Sequence, residues 1–119
     1  EATISRCREL GLLTVLCTAD VEATKRGAAL NPDMLAVEPP ELIGGEISVS
    51  TAKPEVIRDS VSAVNQINPG IPVLCGAGVK DKADVSKALS LGSQGILLAS
   101  GVVKSSEPRK VLIDLIQGL

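Results

Sequence analysis

The sequence contains no phenylalanine, tryptophan, tyrosine or histidine. Without aromatic rings there is no platform on which bases or sugars could stack, and the core has to be aliphatic: Leu, Ile, Val and Ala. Without imidazole, a His-dependent triad and a His metal site are both excluded within these residues. Cysteine is scarce too. Cys7, Cys17 and Cys75 are odd in number, widely spaced and form no Cys-x-x-Cys pair. That argues against a disulfide framework and against a zinc site, and free thiols fit a reducing, cytoplasmic compartment. Cys17 and Cys75 each lie in an apolar run and read as small buried side chains. Charge of neither sign dominates: 12 basic and 14 acidic residues are interspersed, for a net charge of −2. No basic stripe is present, which sets nucleic acid aside. No apolar run approaches the roughly 20 residues of a membrane span. The polar start Glu1-Ala-Thr-Ile-Ser-Arg6 does not read as a signal peptide.

What is present is an ordinary globular balance, 45% hydrophobic and 22% charged, in 119 residues, enough for one small domain over 1–119. Residues 1–10 read as helix, stopped by Gly11. Leu12 to Cys17 is apolar and partly β-branched and reads as a buried strand. Asp20 is placed to cap a helix over Val21 to Leu30, which Asn31-Pro32 ends. Met34 to Val37 is a second strand. Pro54 opens a helix to about Asn68, with Ile57, Val61 and Val64 on one face. Ile71 to Cys75 and Gly95 to Leu98 are further strands. Helices over Asp81 to Leu91 and Pro108 to Gln117 follow them. Thr14-Val-Leu-Cys-Thr-Ala-Asp20 and Pro72-Val-Leu-Cys-Gly-Ala-Gly78 echo each other, as a repeated strand–helix unit would.

Apolar strands separated by amphipathic helices predict an α/β fold with a parallel sheet. Four parallel strands leave two edges to be covered. A closed (β/α)8 barrel takes about 250 residues, so this chain is expected to be the C-terminal half of one, cut or expressed as a fragment. The competing architecture is a complete open sheet of the doubly wound type.

In either fold, chemistry collects in the loops after the strand C-termini. The stretch Met34-Leu-Ala-Val-Glu-Pro-Pro-Glu-Leu-Ile-Gly-Gly45 stands out. A short apolar strand delivers Glu38 at its end, and a stiff-then-loose loop of two prolines and two glycines follows. This is how a general base is presented under a movable lid. The bland reading is an edge carboxylate before an ordinary turn. Gly76-Ala-Gly78 and Ala99-Ser-Gly101 are small, glycine-bearing loops before helix-forming segments. On the last two strands they suggest a phosphate cup, against the bland reading of turn glycines. The remaining charged residues, among them Lys80 to Asp84, read as solvated helix ends. Lys53 reads as a surface residue.

Taken in order, Ala36-Val-Glu-Pro-Pro-Glu-Leu-Ile-Gly-Gly45, Val49-Ser-Thr-Ala-Lys-Pro-Glu-Val56, Val73-Leu-Cys-Gly-Ala-Gly78 and Gly95-Ile-Leu-Leu-Ala-Ser-Gly-Val-Val-Lys104 resemble triosephosphate isomerases of archaeal type. The resemblance covers essentially the whole chain and corresponds to the fourth helix and the fifth through eighth strand–helix units of that barrel. It implies an enzyme acting on a triose phosphate without cofactor or metal, in glycolysis and gluconeogenesis. Glu38 would be the base, and Pro39 to Gly45 the lid. Ile43, Gly44, Gly78, Ala99 and Ser100 would hold the phosphate. It also implies a homo-oligomeric parent, commonly a tetramer. Two departures stand out. The family's electrophilic histidine and its lysine are missing, so these residues alone are expected to be inactive and to need the N-terminal half-barrel or self-association. The lid also reads Gly44-Gly45-Glu46 where Gly-Thr-Gly is commoner. The alternatives are another phosphate-binding barrel lyase or synthase, or a non-catalytic half-barrel that serves only folding or assembly.

Overall fold

The computed structural model describes all residues, 1–119. In chain order the elements are α1 (Ala2–Glu9), β1 (Val15–Thr18), α2 (Val21–Ala28), β2 (Met34–Val37), a 3-10 turn (Pro40–Leu42), α3 (Val49–Ala52) and α4 (Pro54–Ile67). Then come β3 (Val73–Gly76), α5 (Lys82–Ser90), β4 (Gly95–Leu97), α6 (Ser100–Val103) and α7 (Pro108–Ile116). The four strands pair in parallel in the order β1-β2-β3-β4. A doubly wound sheet reverses its strand order at a switch point; here every strand is followed by its spatial neighbour, the progression of a barrel wall. The fold is the parallel α/β sheet that the sequence predicts, and it matches half of a (β/α)8 barrel.

Register places Leu16, Leu35 and Val73 in one row, and Thr18, Val37, Cys75 and Ile96 two residues on. These side chains share a face. On it lies the main core: Leu35, Val37, Val73 and Cys75 packed with Ala28 of α2, Val49 of α3, Ile57 and Val64 of α4, and Ala88 of α5. Fully burying such a Val or Leu contributes about 1.5–3 kcal/mol, so this face holds the unit together. Gly27 lets α2 approach closely, since a Cβ there would lie 3.0 Å from Leu16 Cδ2 and 3.2 Å from Leu35 Cδ2. The intervening row, Cys17, Ala36, Leu74 and Gly95, points to the other face. There no helix covers the edge strand, and Val15 is 45% exposed.

Two expectations need correction. Strand β1 starts at Val15 and not at Leu12. Leu12 and Leu13 precede the ladder and are exposed. Cys17 is also exposed, because strand alternation sends it to the uncovered face, whereas Cys75 is buried. At the other edge, an apolar hollow of about 420 Å³ opens beside β4, lined by residues such as Leu97, Leu112 and Ile116. The two edges are thus apolar and open, as in a wall cut from a barrel. Asp20 caps α2 as the sequence predicts, and Asp81, read from sequence as the first residue of its helix, is instead the cap of α5. Asp20 Oδ1 accepts from Ala23 N–H at 2.7 Å, and Asp81 Oδ1 accepts from Ala83 and Asp84 N–H at 2.9 and 3.0 Å. No helix is long and apolar enough to cross a membrane.

Candidate active site

Strand β2 ends at Val37, and the next residue, Glu38, is fixed by its N–H donating to Thr18 O at 2.8 Å. The chain direction then sets its side chain on the uncovered face, half-buried, directly over the backbone of Gly76 at the end of β3. A Cβ on Gly76 would overlap the Glu38 side chain, coming within 2.8 Å of Cδ. Gly76 therefore makes room for the carboxylate. Sequence reasoning grouped it with the phosphate loop and missed this task; only the register of β2 on β3 reveals it.

Cys17 lies beside Glu38. Partial burial, the hydrogen bond to Glu38 and the nearby negative charge together raise its thiol above the ordinary value. Cys75 is pushed up to about 12, first by burial and then by the charge of Asp84. Neither thiol is primed as a nucleophile.

After Glu38, buried Pro39 and the Pro40–Leu42 turn lead into Ile43, Gly44 and Gly45. Gly44 has φ +71° with open space around it. The turn is fastened from outside by an ion pair between Lys53 and Glu41, so Lys53 has a tether to hold. After β3, Ala77 and Gly78 both take positive φ, +73° and +72°. At Gly78 the place of a Cβ is filled by the carbonyl of Ile47, with Ser48 Cα 2.9 Å away. Only glycine fits there. The far end of the lid thus rests on the loop after β3. After β4, Ala99 leads into α6, whose first residue is Ser100.

These segments enclose one cavity of about 540 Å³ at the C-terminal ends of β2, β3 and β4. All six residues singled out from sequence line it: Glu38, Ile43, Gly44, Gly78, Ala99 and Ser100. Two lysines missed from sequence line it as well, Lys80 and Lys104. Lys104 follows Ser100 by four residues, one turn along α6, and that spacing was the available signal. Lys80 donates to Glu46 Oε2 at 2.6 Å across the mouth, and this pairing holds the Glu46 carboxyl below the ordinary range. The cavity thus combines a carboxylate at a strand end, glycine-bearing loops whose backbone can approach an anion, and two cations at the rim. No three His, Cys, Asp or Glu side chains converge as metal ligands would.

These loops stand together at the C-terminal ends of a parallel strand series, as on the wall of a (β/α)8 barrel. Solved structures bear out the fold. Thiamine phosphate pyrophosphorylase from Pyrococcus furiosus superposes with a TM-score of 0.71 at 19% identity, over 96% of this chain and 52% of that one. A FabK mutant (M276A) from Thermotoga maritima superposes with a TM-score of 0.70 at 21% identity, over 89% of this chain and 34% of that one. Sequence comparison goes further. The family model described as Triosephosphate isomerase matches residues 1–119, and the chain belongs to that family. It is 54% identical over 117 residues to a triosephosphate isomerase of Methanosarcina mazei and 53% identical over 116 residues to one of Archaeoglobus fulgidus. Each match takes in 98% of this chain but only 53% and 52% of those relatives, so the chain spans about half their length.

Proposed function

We propose that these residues form one half-barrel unit, 1–119, that supplies the proton-transfer side of a triosephosphate isomerase site. The reaction interconverts dihydroxyacetone phosphate and D-glyceraldehyde 3-phosphate. Glu38 takes a proton from the carbon next to the carbonyl, leaving an enediolate, and returns it to the adjacent carbon. The phosphate sits between the lid backbone at Ile43 and Gly44, the Gly78 turn, and Ala99-Ser100, where the first amides of a helix have no partner within it. Lid closure excludes water around Glu38, and the bound phosphate holds the lid shut. The observation that carries this reading is the convergence of those six residues on one cavity at the strand ends.

The enediolate also needs a preorganised electrophile, and with no His among these residues none is supplied here. Turnover therefore requires the other half of the barrel, and the parent assembles as a homo-oligomer. Free thiols and a glycolytic role suit the cytoplasm.

The test is to complete the barrel with the first half of the Methanosarcina mazei relative and assay isomerisation. The completed protein is expected to turn over and the 119 residues alone to be inactive. Glu38→Gln is expected to lower kcat by about 10³-fold or more, the upper range for losing a general base. Full turnover by the 119 residues alone, or an active Glu38→Gln variant, would overturn the proposal.

A further inference from the structure

Asp84, near the start of α5, reads from sequence as a solvated charge. In the structure it is half-buried and holds two segments at once. Its carboxylate accepts from the hydroxyl of Ser48, the first buried residue after the lid. Its other oxygen, Oδ2, accepts from Lys80 N–H at 3.0 Å, at the far end of the loop after β3. Ser50 Oγ, fully buried, donates to the Asp84 carbonyl at 3.3 Å and lies 3.1 Å from Ser48 Oγ. In front of this bracket the same two segments are joined again, by Val49 N–H donating to Ala77 O at 3.1 Å.

We infer that Asp84 is a positioning residue that couples the lid to the phosphate-binding turn at Gly78. The inference rests on the function proposed above. A carboxylate suits the task because two oxygens accept from two donors on different segments at once. With Ser48 pinned to Asp84, Ile47 resting on Gly78 and buried Pro39 at the other end, the part free to move is Ile43 to Glu46, around Gly44. Ile43 is 60% exposed there, and closure would bury apolar surface. Because the lid's anchored end and Gly78 form one body, an anion that meets Gly78 meets a lid already held in register. Without the bracket, the anion would have to order two loops independently, which weakens binding.

The experiment is amide hydrogen exchange and inorganic phosphate titration on the isotope-labelled chain, followed at single amides. In Asp84→Ala, exchange at Val49 is expected to speed up about tenfold, the worth of a lost hydrogen bond, although the Val49–Ala77 bond does not involve Asp84. Exchange at Val64 in the core should hold within about twofold, and this separates a coupling role from general destabilisation. In the unaltered chain, phosphate should shift Gly44 and Gly78 with one Kd. In Asp84→Ala the Gly44 shift should lag and the apparent Kd should weaken about tenfold. Asp84→Asn, which can still accept from Lys80 N–H and donate to Ser48, should restore most of the coupling. If Asp84→Ala does not fold, Ser48→Ala removes one tie and should show the same pattern at about threefold. Unchanged exchange at Val49 in the folded variants, with Gly44 and Gly78 still shifting together, overturns the inference. If the unaltered chain shows no phosphate shift at all, the functional reading of the site falls, while exchange at Val49 still decides the coupling.

Discussion

Strands β1 and β3 contain the same run, Val15-Leu16-Cys17 and Val73-Leu74-Cys75, and present it to opposite sides of the sheet. The echo in sequence suggests equivalent positions. The register says otherwise: Leu16 aligns with Val73 through Leu35, and Cys17 aligns with Leu74 through Ala36. The two strands are offset by one residue, and an offset of one exchanges every side chain between faces. In β3 the slip buries Val73 and Cys75 under the helices and turns Gly76 inward beneath Glu38. In β1 it turns Val15 and Cys17 inward, and Cys17 meets the same carboxylate from the other side. The same Val and Cys therefore lie in the core in β3 and on the uncovered face in β1, where Cys17 flanks Glu38.

Thiol alkylation separates the two faces most strongly. A thiol pushed up to about 12 is ionised in only about one molecule in 10⁴ at pH 8, and Cys75 is also inaccessible. Cys17, whose thiol is raised too but is exposed, should be modified at least about 10³-fold faster under native conditions. Glu38→Gln should speed Cys17 further, because it removes a negative charge and a hydrogen bond that favour the protonated thiol. Mass spectrometry of partially labelled chain checks both. Comparable labelling of the two cysteines would mean that the faces are misassigned.

Gly76→Ala is next in size. A methyl group placed where the Glu38 side chain lies must displace the carboxylate. In the completed barrel kcat is expected to fall about 10²-fold, the scale of a misplaced catalytic group. Ala at the inward position before it, Leu74→Ala, should leave kcat within about threefold, since it opens space without moving Glu38. Steady-state assays of the two variants check this; a fully active Gly76→Ala would show that Glu38 works from another position.

Stability offers a third contrast. Val73 is 1% exposed and Val15 45%. Val73→Ala should cost about 2 kcal/mol by lost burial and a residual cavity, and Val15→Ala under about 0.5 kcal/mol. Urea unfolding of the 119-residue chain measures both. Equal costs would show that the β1 face is as well packed as the helical one.

The alternation of apolar strands with amphipathic helices was enough to read the parallel sheet, and Asp20 announced its helix by local chemistry. Glu38 was legible because its strand, its prolines and its glycines are consecutive. Cys17 misled because an apolar run says that a residue lies in a strand but not which face it takes. Gly76, Lys80 and Asp84 were illegible for a related reason. Their partners Glu38, Glu46 and Ser48 lie 34 to 38 residues away and meet them only through the β2–β3 register. Lys53 likewise finds Glu41 from 12 residues away, across the lid and α3.

The lid, which bridges the ends of β2 and β3, gives the smallest expected effect. Glu46 and Glu41 are both held below the ordinary carboxylate value of 4.5, chiefly by hydrogen bonds from Lys80 and Lys53. A carboxyl depressed in the folded state contributes its stability above the ordinary value and loses it as pH falls through the folded one. The two ties should therefore hold the lid at neutral pH and release it in acid, below about pH 4.5. Both pairs are exposed, so the effect is modest and screened by salt. Protection of the Ile43 to Glu46 amides, corrected for intrinsic exchange, should drop about twofold on acidification, and by a similar factor in 1 M salt at pH 7. Val49, tied by a neutral backbone bond, should not respond to salt. If Val49 loosened with the lid, the boundary between mobile lid and fixed β3 end would lie beyond Ser48, and the offset strands would not be rigid where the site requires it.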